Sequence, residues 1–211
     1  MSGSRVVREV DAVLFDLGNV LVGWDPFLPF VGRRSRDDVE RFFAEVDFMA
    51  FNHEQDAGRS WADARAALAM THPEHVPMLD IYVEHYPESV YGEIPGGGDL
   101  VRDLAAVGLR SYGLTNWPAE TFHVALEHTT VVAQLDGVVV SGREGVAKPD
   151  PRVFLLAVER FGLDVSRTLF TDDSERNVAA AAAAGFRTHH FDGYPALRGA
   201  LRTLGVALPS T

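Results

Sequence analysis

Acidic, hydroxyl and amide side chains follow three short apolar runs of the chain. These side chains are Asp16 after residues 11–15, Thr115 and Asn116 after residues 109–114, and Asp172 and Asp173 after residues 168–171. One aspartate after a strand is an ordinary turn former. Three such strand ends together are better explained by a functional site, because carboxylates serve as nucleophiles and as ligands of hard cations.

Lys148 is the second chemical signal in the sequence. It is the only lysine among 19 basic residues, the other 18 being arginine, and it stands directly before Pro149. A composition that uses arginine wherever a positive charge suffices favours lysine where a compact point charge is needed instead of a planar fork. Drift in composition is the alternative explanation.

Helical patterns separate the apolar runs and predict how the runs are arranged. They cover residues 99–107, 151–161 and 175–184, and each is followed by a glycine suited to a left-handed helix cap: Gly108, Gly162 and Gly185. A fourth apolar run covers residues 186–191. Strands alternating with helices predict an α/β fold with a doubly wound parallel sheet, in which ligands bind at the carboxyl ends of the strands.

Residues 23–94 break this alternation and predict a helical cap, inserted after the first strand. They hold 14 acidic and 6 basic residues, helical spacing at residues 37–49 and 60–70, and no convincing strand. The four residues 95–98, Pro-Gly-Gly-Gly, predict a flexible hinge back to the core. The expected domains are therefore a core of residues 1–22 and 95–211 and a cap of residues 23–94. The pair His72 and His75 is interpreted as a solvated loop without a third metal ligand nearby.

Composition excludes several classes of protein. The chain of 211 residues has a net charge of −11, 46% hydrophobic residues and no cysteine. The acidity argues against nucleic-acid binding, and the lack of cysteine rules out disulfides and thiolate metal sites. The charged N-terminus and the absence of a long apolar stretch favour a cytoplasmic protein with no membrane partner. We expect a monomer or a homodimer.

Four motifs in order resemble the haloacid dehalogenase-like (HAD) hydrolase superfamily, in its capped phosphatase branch. The motifs are Phe15-Asp16-Leu17-Gly18-Asn19-Val20, Leu114-Thr115-Asn116, Lys148-Pro149-Asp150-Pro151, and Phe170-Thr171-Asp172-Asp173 followed by Asn177. The resemblance covers nearly the whole chain and implies a Rossmann-like core.

The resemblance also implies roles for these residues. Asp16 would be the nucleophile that forms an aspartyl-phosphate. Mg²⁺ would be held by Asp16, the Gly18 carbonyl and Asp173, with Asp172 bound through water or paired with Lys148. The implied ligands of the phosphoryl oxygens are Thr115, the amides of Asn116 and Trp117, and Lys148, which neutralises charge.

The chain departs from the family pattern at Gly18. Most phosphatases of the superfamily carry there a second aspartate that acts as general acid and base, whereas glycine transfers no proton. Residues 51–58 resemble the cap loop that enters the active site of related phosphatases, so His53, Glu54 and Asp56 are candidates to contact substrate or replace the acid. A solvated loop is the alternative. Trp24 and Asp25 lie where the chain leaves for the cap.

The predicted function is a magnesium-dependent phosphomonoester hydrolase acting on a small phosphorylated metabolite, with sugar phosphates among the candidates. A haloacid dehalogenase shares the aspartate nucleophile, but two adjacent carboxylates without a cation would repel each other. A binding or regulatory module that retains the fold without turnover is the third possibility.

Overall fold

A five-stranded parallel sheet forms the centre of the protein. The computed structural model describes residues 8–209. The two ends of the predicted core, residues 1–7 and 210–211, lie outside the described residues, and residues 1–7 include most of the charged N-terminal segment. The strands of this sheet are β1 (Ala12–Phe15), β4 (Arg110–Thr115), β5 (Gly137–Val140), β6 (Thr168–Asp172) and β7 (Arg187–His190). Their spatial order is β5-β4-β1-β6-β7. The predicted α/β fold class is confirmed.

Helices of the core pack on both faces of this sheet, and further helices form the cap. The cap helices are α1 (Arg36–Glu45), α2 (Phe48–Asp56), α3 (Trp61–Thr71) and α4 (Val76–Glu84). The core helices are α5 (Gly97–Ala106), α6 (Phe122–His128), α7 (Ser141–Glu144), α8 (Pro151–Phe161), α9 (Glu175–Ala183) and α10 (Tyr194–Thr203). Short 3₁₀ helices cover Leu28–Phe30, Pro73–His75, Tyr86–Ser89, Val132–Gln134 and Val165–Arg167. Among the described residues, no helix is both long and apolar enough to cross a membrane.

The apolar runs form strands because both faces of the sheet are buried. All four residues of β1 are buried, and successive side chains enter different layers. Val13 and Phe15 belong to the hydrophobic cluster that includes α5, α10 and the cap helices. Ala12 and Leu14 belong to the cluster on the opposite face, with α8 and α9. This alternation is the period of two expected of a strand.

The return from the cap to the core corrects the expected hinge. Gly97 and Gly98 are buried in the first turn of α5. A Cβ atom at Gly97 would lie 2.6 Å from the Tyr194 hydroxyl, and one at Gly98 would lie 2.5 Å from Glu93 Oε1. The Gly98 amide also donates to Glu93 Oε1 at 3.0 Å. Close packing, and not flexibility, therefore explains these glycines.

The cap contains two features that differ from the sequence-based expectation. A two-stranded antiparallel sheet joins β2 (Val22–Trp24) and β3 (Val90–Glu93) at its base, where we expected no strand. The helix expected over residues 37–49 is broken, because Asp47 adopts a left-handed conformation with φ of 47° between α1 and α2. The helix expected over residues 60–70 is present as α3.

His75 was wrongly assigned to a solvated loop. It is buried, and its Nε2 lies 2.5 Å from Glu45 Oε2. Its ring also packs 5.4 Å from the ring of Phe42, in the aromatic core of the cap. Glu45 and the exposed Glu74 thus come close to His75, which sequence spacing alone did not reveal. The hydrogen bond with Glu45 gives this buried ring a polar partner.

Candidate active site

The order of the strands brings the predicted site residues to one edge of the sheet. β1 lies between β4 and β6, and Phe15 is in register with Gly113 on one side and Thr171 on the other. Asp16 directly follows β1, and β4 and β6 end at Thr115 and Asp172. Parallel strands end at the same edge, so the three residues lie together at that edge of the sheet.

Lys148 joins the two aspartates at the centre of the site. Its Nζ donates to Asp16 Oδ1 and to Asp172 Oδ2, both at 2.7 Å. The lysine is 1% exposed and Asp172 is fully buried. Such a buried charge requires partners with good geometry, because desolvation otherwise outweighs the attraction. The sole lysine of the chain therefore lies where the sequence-based interpretation expected it.

The pKa values of this cluster follow from burial and charge. Burial raises the pKa of Asp16 to about 7; Lys148 opposes this shift, and the negative charge of Asp172 adds to it. Burial lowers the pKa of Lys148, but Asp16 and Asp172 outweigh that effect and raise it overall. The lysine therefore stays protonated. Burial, with Asp172 nearby, also raises the pKa of Asp173.

Asp172 is held by further hydrogen bonds. Its Oδ1 accepts from the amide of Ser174 at 2.8 Å. The side-chain amide of Asn177 donates to both of its oxygens at 3.1 Å. Together with the hydrogen bond from Lys148, these contacts give both oxygens of the Asp172 carboxylate partners and hold it in position. The arrangement fits the expectation that Asp172 pairs with Lys148.

Asn116 has a structural contact that the sequence did not suggest. Its Nδ2 donates to the carbonyl of Lys148 at 2.9 Å, and the amide of Lys148 donates to its Oδ1 at 2.8 Å. The side chain thus fixes the backbone of Lys148. Its own backbone amide makes no hydrogen bond within residues 8–209, so it remains able to bind an oxygen as expected.

Thr115 and Trp117 differ in what they offer the site. The hydroxyl of Thr115 is buried and lacks a hydrogen-bond partner among the described residues, and Thr115 is not among the residues that line the cavity above the site. Its role as a ligand of phosphoryl oxygens stays a prediction. The amide of Trp117 already donates to Ser141 Oγ at 3.0 Å, so the expectation that it binds a phosphoryl oxygen is wrong. Trp117 is nevertheless among the residues that line this cavity.

A cavity of about 340 Å³ lies between the core and the cap. Its floor comes from the core, and the cap contributes side chains from the opposite wall. The lining residues are Asp16, Gly18, Asn19, Trp24, Met49, Asn52, His53, Asp56, Tyr86, Asn116, Trp117, Pro118, Asp173 and Ser174. The volume is near the lower end of the ~300–1,000 Å³ typical of small-molecule sites.

The polar stretch at residues 51–58 is largely helix and not a loop. It forms the C-terminal part of α2, whose residues Asn52, His53 and Asp56 line the cavity. Burial raises the pKa of Asp56 to about 7, an effect that Lys148 partly offsets. Glu54 points to solvent and does not line the cavity, so its predicted contact with substrate is not supported.

The chain connection after the first motif brings Trp24 to the cavity but leaves Asp25 outside it. Asn19 has a φ of 54°, and its Oδ1 accepts from the amide of Trp24 at 3.1 Å. Asp25 Oδ1 accepts instead from the amide of Phe27 at 2.8 Å, in a local turn. Asp25 therefore has a structural explanation that does not involve the site.

The donor atoms around Asp16 fit a hard divalent cation. Carboxylate oxygens of Asp16, Asp172 and Asp173 lie within 4.8 Å of one another. The carbonyl of Leu17 accepts three backbone amides, whereas that of Gly18 accepts none from residues 8–209. Three carboxylates against one lysine leave an excess of negative charge. An all-oxygen donor set of this kind suits magnesium.

Gly18 leaves open space beside the predicted nucleophile. A Cβ atom built there meets one atom within 4 Å among the described residues, Asp16 Oδ2 at 4.0 Å. The φ of Gly18 is outside the left-handed region. Neither backbone strain nor crowding therefore requires glycine at this position.

Sequence comparison assigns the family. The model of haloacid dehalogenase-like hydrolases matches residues 10–185. The chain therefore belongs to the haloacid dehalogenase-like hydrolase family, and phosphatases are among its relatives.

Three curated relatives illustrate the range of the family. The chain is 29% identical over 207 residues to Acyl-CoA dehydrogenase family member 10 of Mus musculus, covering 90% of the chain and 18% of that protein. It is 35% identical over 86 residues to sesquiterpene phosphatase astK of Aspergillus oryzae, covering 41% and 44%. It is 26% identical over 187 residues to N-acetylmuramic acid 6-phosphate phosphatase of Pseudomonas aeruginosa, covering 85% and 80%. The chain thus spans less than half of the first two relatives.

Solved structures share the fold. A HAD family enzyme of Bacteroides thetaiotaomicron superposes with a TM-score of 0.72 at 20% identity, covering 90% of this chain and 98% of that one. The same enzyme in complex with magnesium and inorganic phosphate gives a TM-score of 0.69. L-2-haloacid dehalogenase of Xanthobacter autotrophicus gives 0.65 at 18% identity, covering 94% and 84%. Since one fold serves several reactions, the reaction must be argued from the site.

Proposed function

We propose that this protein is a magnesium-dependent phosphomonoester hydrolase that acts on a small phosphorylated metabolite through an aspartyl-phosphate. The observation that carries the proposal is the position of Lys148 between Asp16 and Asp172, below a cavity that Asp173 also lines. A buried carboxylate fixed by an ammonium group is well placed to attack an electrophile. The ammonium group of Lys148 also reduces the repulsion between this carboxylate and an anionic phosphate.

In the proposed first step, the Asp16 carboxylate attacks phosphorus. An oxygen–phosphorus bond to Asp16 forms while the bond from phosphorus to the ester oxygen breaks, and the departing oxygen takes up a proton. Water then attacks the aspartyl-phosphate, which releases inorganic phosphate and restores Asp16. Thr115 and the amide of Asn116 would bind the phosphoryl oxygens, while Lys148 neutralises charge shared by the nucleophile and the phosphate.

Asp16, Asp173 and the carbonyl of Gly18 would hold the metal ion, and Asp172 would keep Lys148 in position. When bound, magnesium would offset the negative charge that the phosphate brings to an already acidic site. The structurally similar Bacteroides enzyme, described with magnesium and inorganic phosphate together, supports this part of the proposal.

The dehalogenase alternative gives Asp173 no role. Displacement of a halide from carbon requires an ionised nucleophile and a site that binds the departing halide. An adjacent carboxylate would repel both through its negative charge. Here Asp173 lines the same cavity as Asp16, and nearby negative charge contributes to its raised pKa. The carboxylate cluster therefore favours a phosphate ester together with a cation.

Turnover of an aryl phosphate, with magnesium and with a chelator, tests the proposal. We expect hydrolysis that requires magnesium and that is lost in Asp16→Asn, because an amide keeps the shape of the side chain but cannot attack. Glu84→Gln is the matched control, since Glu84 is an exposed cap carboxylate outside the cavity. Near-normal turnover by Asp16→Asn would remove Asp16 from the nucleophile role. Lack of turnover with any phosphate ester would favour the binding or regulatory alternative.

A further inference from the structure

Two unpartnered polar side chains project from α2 into the cavity. Asn52 and Asp56 lie one helical turn apart, and they are 8% and 9% exposed. The side-chain oxygen of Asn52 is buried and has no hydrogen-bond partner among the described residues. Asp56 is nearly as buried, and burial raises its pKa to about 7, an effect that the charge of Lys148 partly offsets. Buried polar groups in native proteins are paired, so this pair indicates a missing ligand.

The cavity around this pair combines flat apolar walls with negative charge. The aromatic residues Trp24, Tyr86 and Trp117 belong to its lining. The acidic residues of the lining are Asp16, Asp56 and Asp173; His53 also lines the cavity, and the described lining includes neither arginine nor lysine. Lys148, just below, is already bonded to two carboxylates. The transferred phosphoryl group thus has a cation nearby, but a second anionic group of the substrate would meet no arginine or lysine of this lining and would meet the negative charge of Asp56.

We propose that Asn52 and Asp56 form a subsite for the leaving group, which selects phosphate esters of uncharged, hydroxyl-bearing ring compounds and rejects esters that carry a second anionic group. This inference rests on the proposed function and names the substrate class of the same site. Hydroxyl groups of the leaving group donate to the two unpartnered oxygens. The apolar faces of its ring pack against the aromatic walls.

Electrostatic repulsion should make the cavity discriminate strongly between uncharged and anionic leaving groups. A carboxylate on the leaving group would lie in a low-dielectric cavity near Asp56, where like charges repel far more than in water. It would also leave Asn52 and Asp56 without donors, and unpaired buried groups carry a further penalty. An uncharged hydroxyl group avoids both costs. The cavity volume of about 340 Å³ accommodates a single ring more readily than a dinucleotide.

Two aryl phosphates that differ in one substituent test this inference. The pair is 4-(hydroxymethyl)phenyl phosphate and 4-carboxyphenyl phosphate, assayed at pH 7.5 (roughly neutral, above the usual carboxyl pKa values). We expect kcat/KM for the hydroxymethyl ester to exceed that for the carboxyl ester by at least ~10-fold, mainly through KM. Equal efficiencies, or preference for the carboxyl ester, would overturn the inference and leave the proposed hydrolase function intact.

Variants of α2 assign the effect to the subsite. Asp56→Asn removes the negative charge while keeping the size, so the ratio between the two esters should fall by at least ~3-fold if this charge supplies about half of the repulsion. Asn52→Asp adds a charge and should raise the ratio. Glu84→Gln removes an exposed cap carboxylate outside the cavity and should leave the ratio unchanged. A ratio that is the same in all three variants contradicts the assignment.

Equilibrium binding keeps the test independent of turnover. Calorimetry with Asp16→Asn measures the affinity of the intact variant for each ester, and the hydroxymethyl ester should bind more tightly. Equal affinity, tighter binding of the carboxyl ester, or binding of neither ester overturns the proposed subsite, whether or not the wild-type protein hydrolyses phosphate esters.

Discussion

The side chain of Asn116 holds the main chain of Lys148 at both of its polar atoms. The two hydrogen bonds measure 2.9 Å, from Asn116 Nδ2 to the Lys148 carbonyl, and 2.8 Å, from the Lys148 amide to Asn116 Oδ1. Lys148 in turn places its Nζ 2.7 Å from Asp16 and Asp172. The residue after β4 thus controls a lysine that is distant in sequence, and through it the predicted nucleophile.

Replacing Asn116 by alanine tests this positioning. The change leaves the Lys148 amide and carbonyl without partners, so we expect a loss of about 1–3 kcal/mol in the free energy of unfolding. Because the alanine variant keeps the backbone amide at position 116, KM should change little. We expect kcat to fall by at least ~10-fold, the equivalent of about 1.4 kcal/mol in the barrier. Steady-state kinetics and urea unfolding measure the two effects, and a kcat within a factor of two (roughly 0.4 kcal/mol) of wild type would contradict the positioning role.

Lys148→Arg is expected to be damaging although it preserves the charge. The lysine is 1% exposed, and its ammonium contacts two carboxylates at 2.7 Å. A guanidinium is larger and planar, so it cannot occupy the same point between both partners. We expect kcat/KM to fall by at least ~10-fold, through loss of about 1.4 kcal/mol of transition-state stabilisation. Full activity in a folded arginine variant, judged by circular dichroism, would mean that the single lysine reflects drift.

Asp173→Ala is expected to raise the magnesium requirement or to abolish activity. Asp173 shares the cavity with Asp16 and Gly18, whereas Asp172 is already bonded to Lys148, Ser174 and Asn177. Loss of a direct ligand should raise the magnesium concentration for half-maximal activity by at least ~10-fold. Asp192→Ala is the control, because Asp192 is exposed and does not line the cavity. An unchanged magnesium titration in Asp173→Ala would count against its role as a ligand.

The parts of the fold predicted from sequence are those with strong local signals. The fully buried strands β1 and β6 have apolar runs, and Gly108, Gly162 and Gly185 end or follow helices with positive φ as expected. The strands at the base of the cap were missed because β2 has three residues and gains its stability from pairing with β3, which is distant in sequence. The break at Asp47 was missed because aspartate tolerates the left-handed conformation without any wider pattern.

The site was predictable only where residue type reveals function. Asp16, Lys148 and Asp173 were predicted as site residues because three polar strand ends occur together, the lysine is unique in the chain, and the motifs that contain them resemble those of a known family. The side-chain role of Asn116 was not, since an amide after a strand is also an ordinary turn residue. Asn52 was overlooked because residues 51–58 were taken for a loop. Recognising the helix would have placed Asn52 and Asp56 on one face through their spacing of four.

The open space at Gly18 leads to a prediction about the leaving group. With no acid at this position, negative charge accumulates on the departing oxygen, so log kcat/KM should fall steeply as leaving-group pKa rises across aryl and alkyl phosphates. Gly18→Asp should make this dependence shallower, because the new Cβ has one neighbour within 4 Å among the described residues, at 4.0 Å, and requires no positive φ. A slope that stays the same in a folded Gly18→Asp variant would show that position 18 does not control proton transfer.

Asp56 offers the competing source of the proton, and its variant separates the two accounts. Burial raises its pKa to about 7, so an acid role would be present below pH 7 and lost as pH rises through that value. If Asp56 is the acid, log kcat/KM of the wild-type protein should depend only weakly on leaving-group pKa. In addition, kcat/KM for poor leaving groups should decline above pH 7. Asp56→Asn should then steepen the dependence and remove the decline. Should the plot be flat in wild type and remain flat in Asp56→Asn, His53→Ala and Glu54→Ala, none of these cap residues supplies the proton, and both accounts of Gly18 fail.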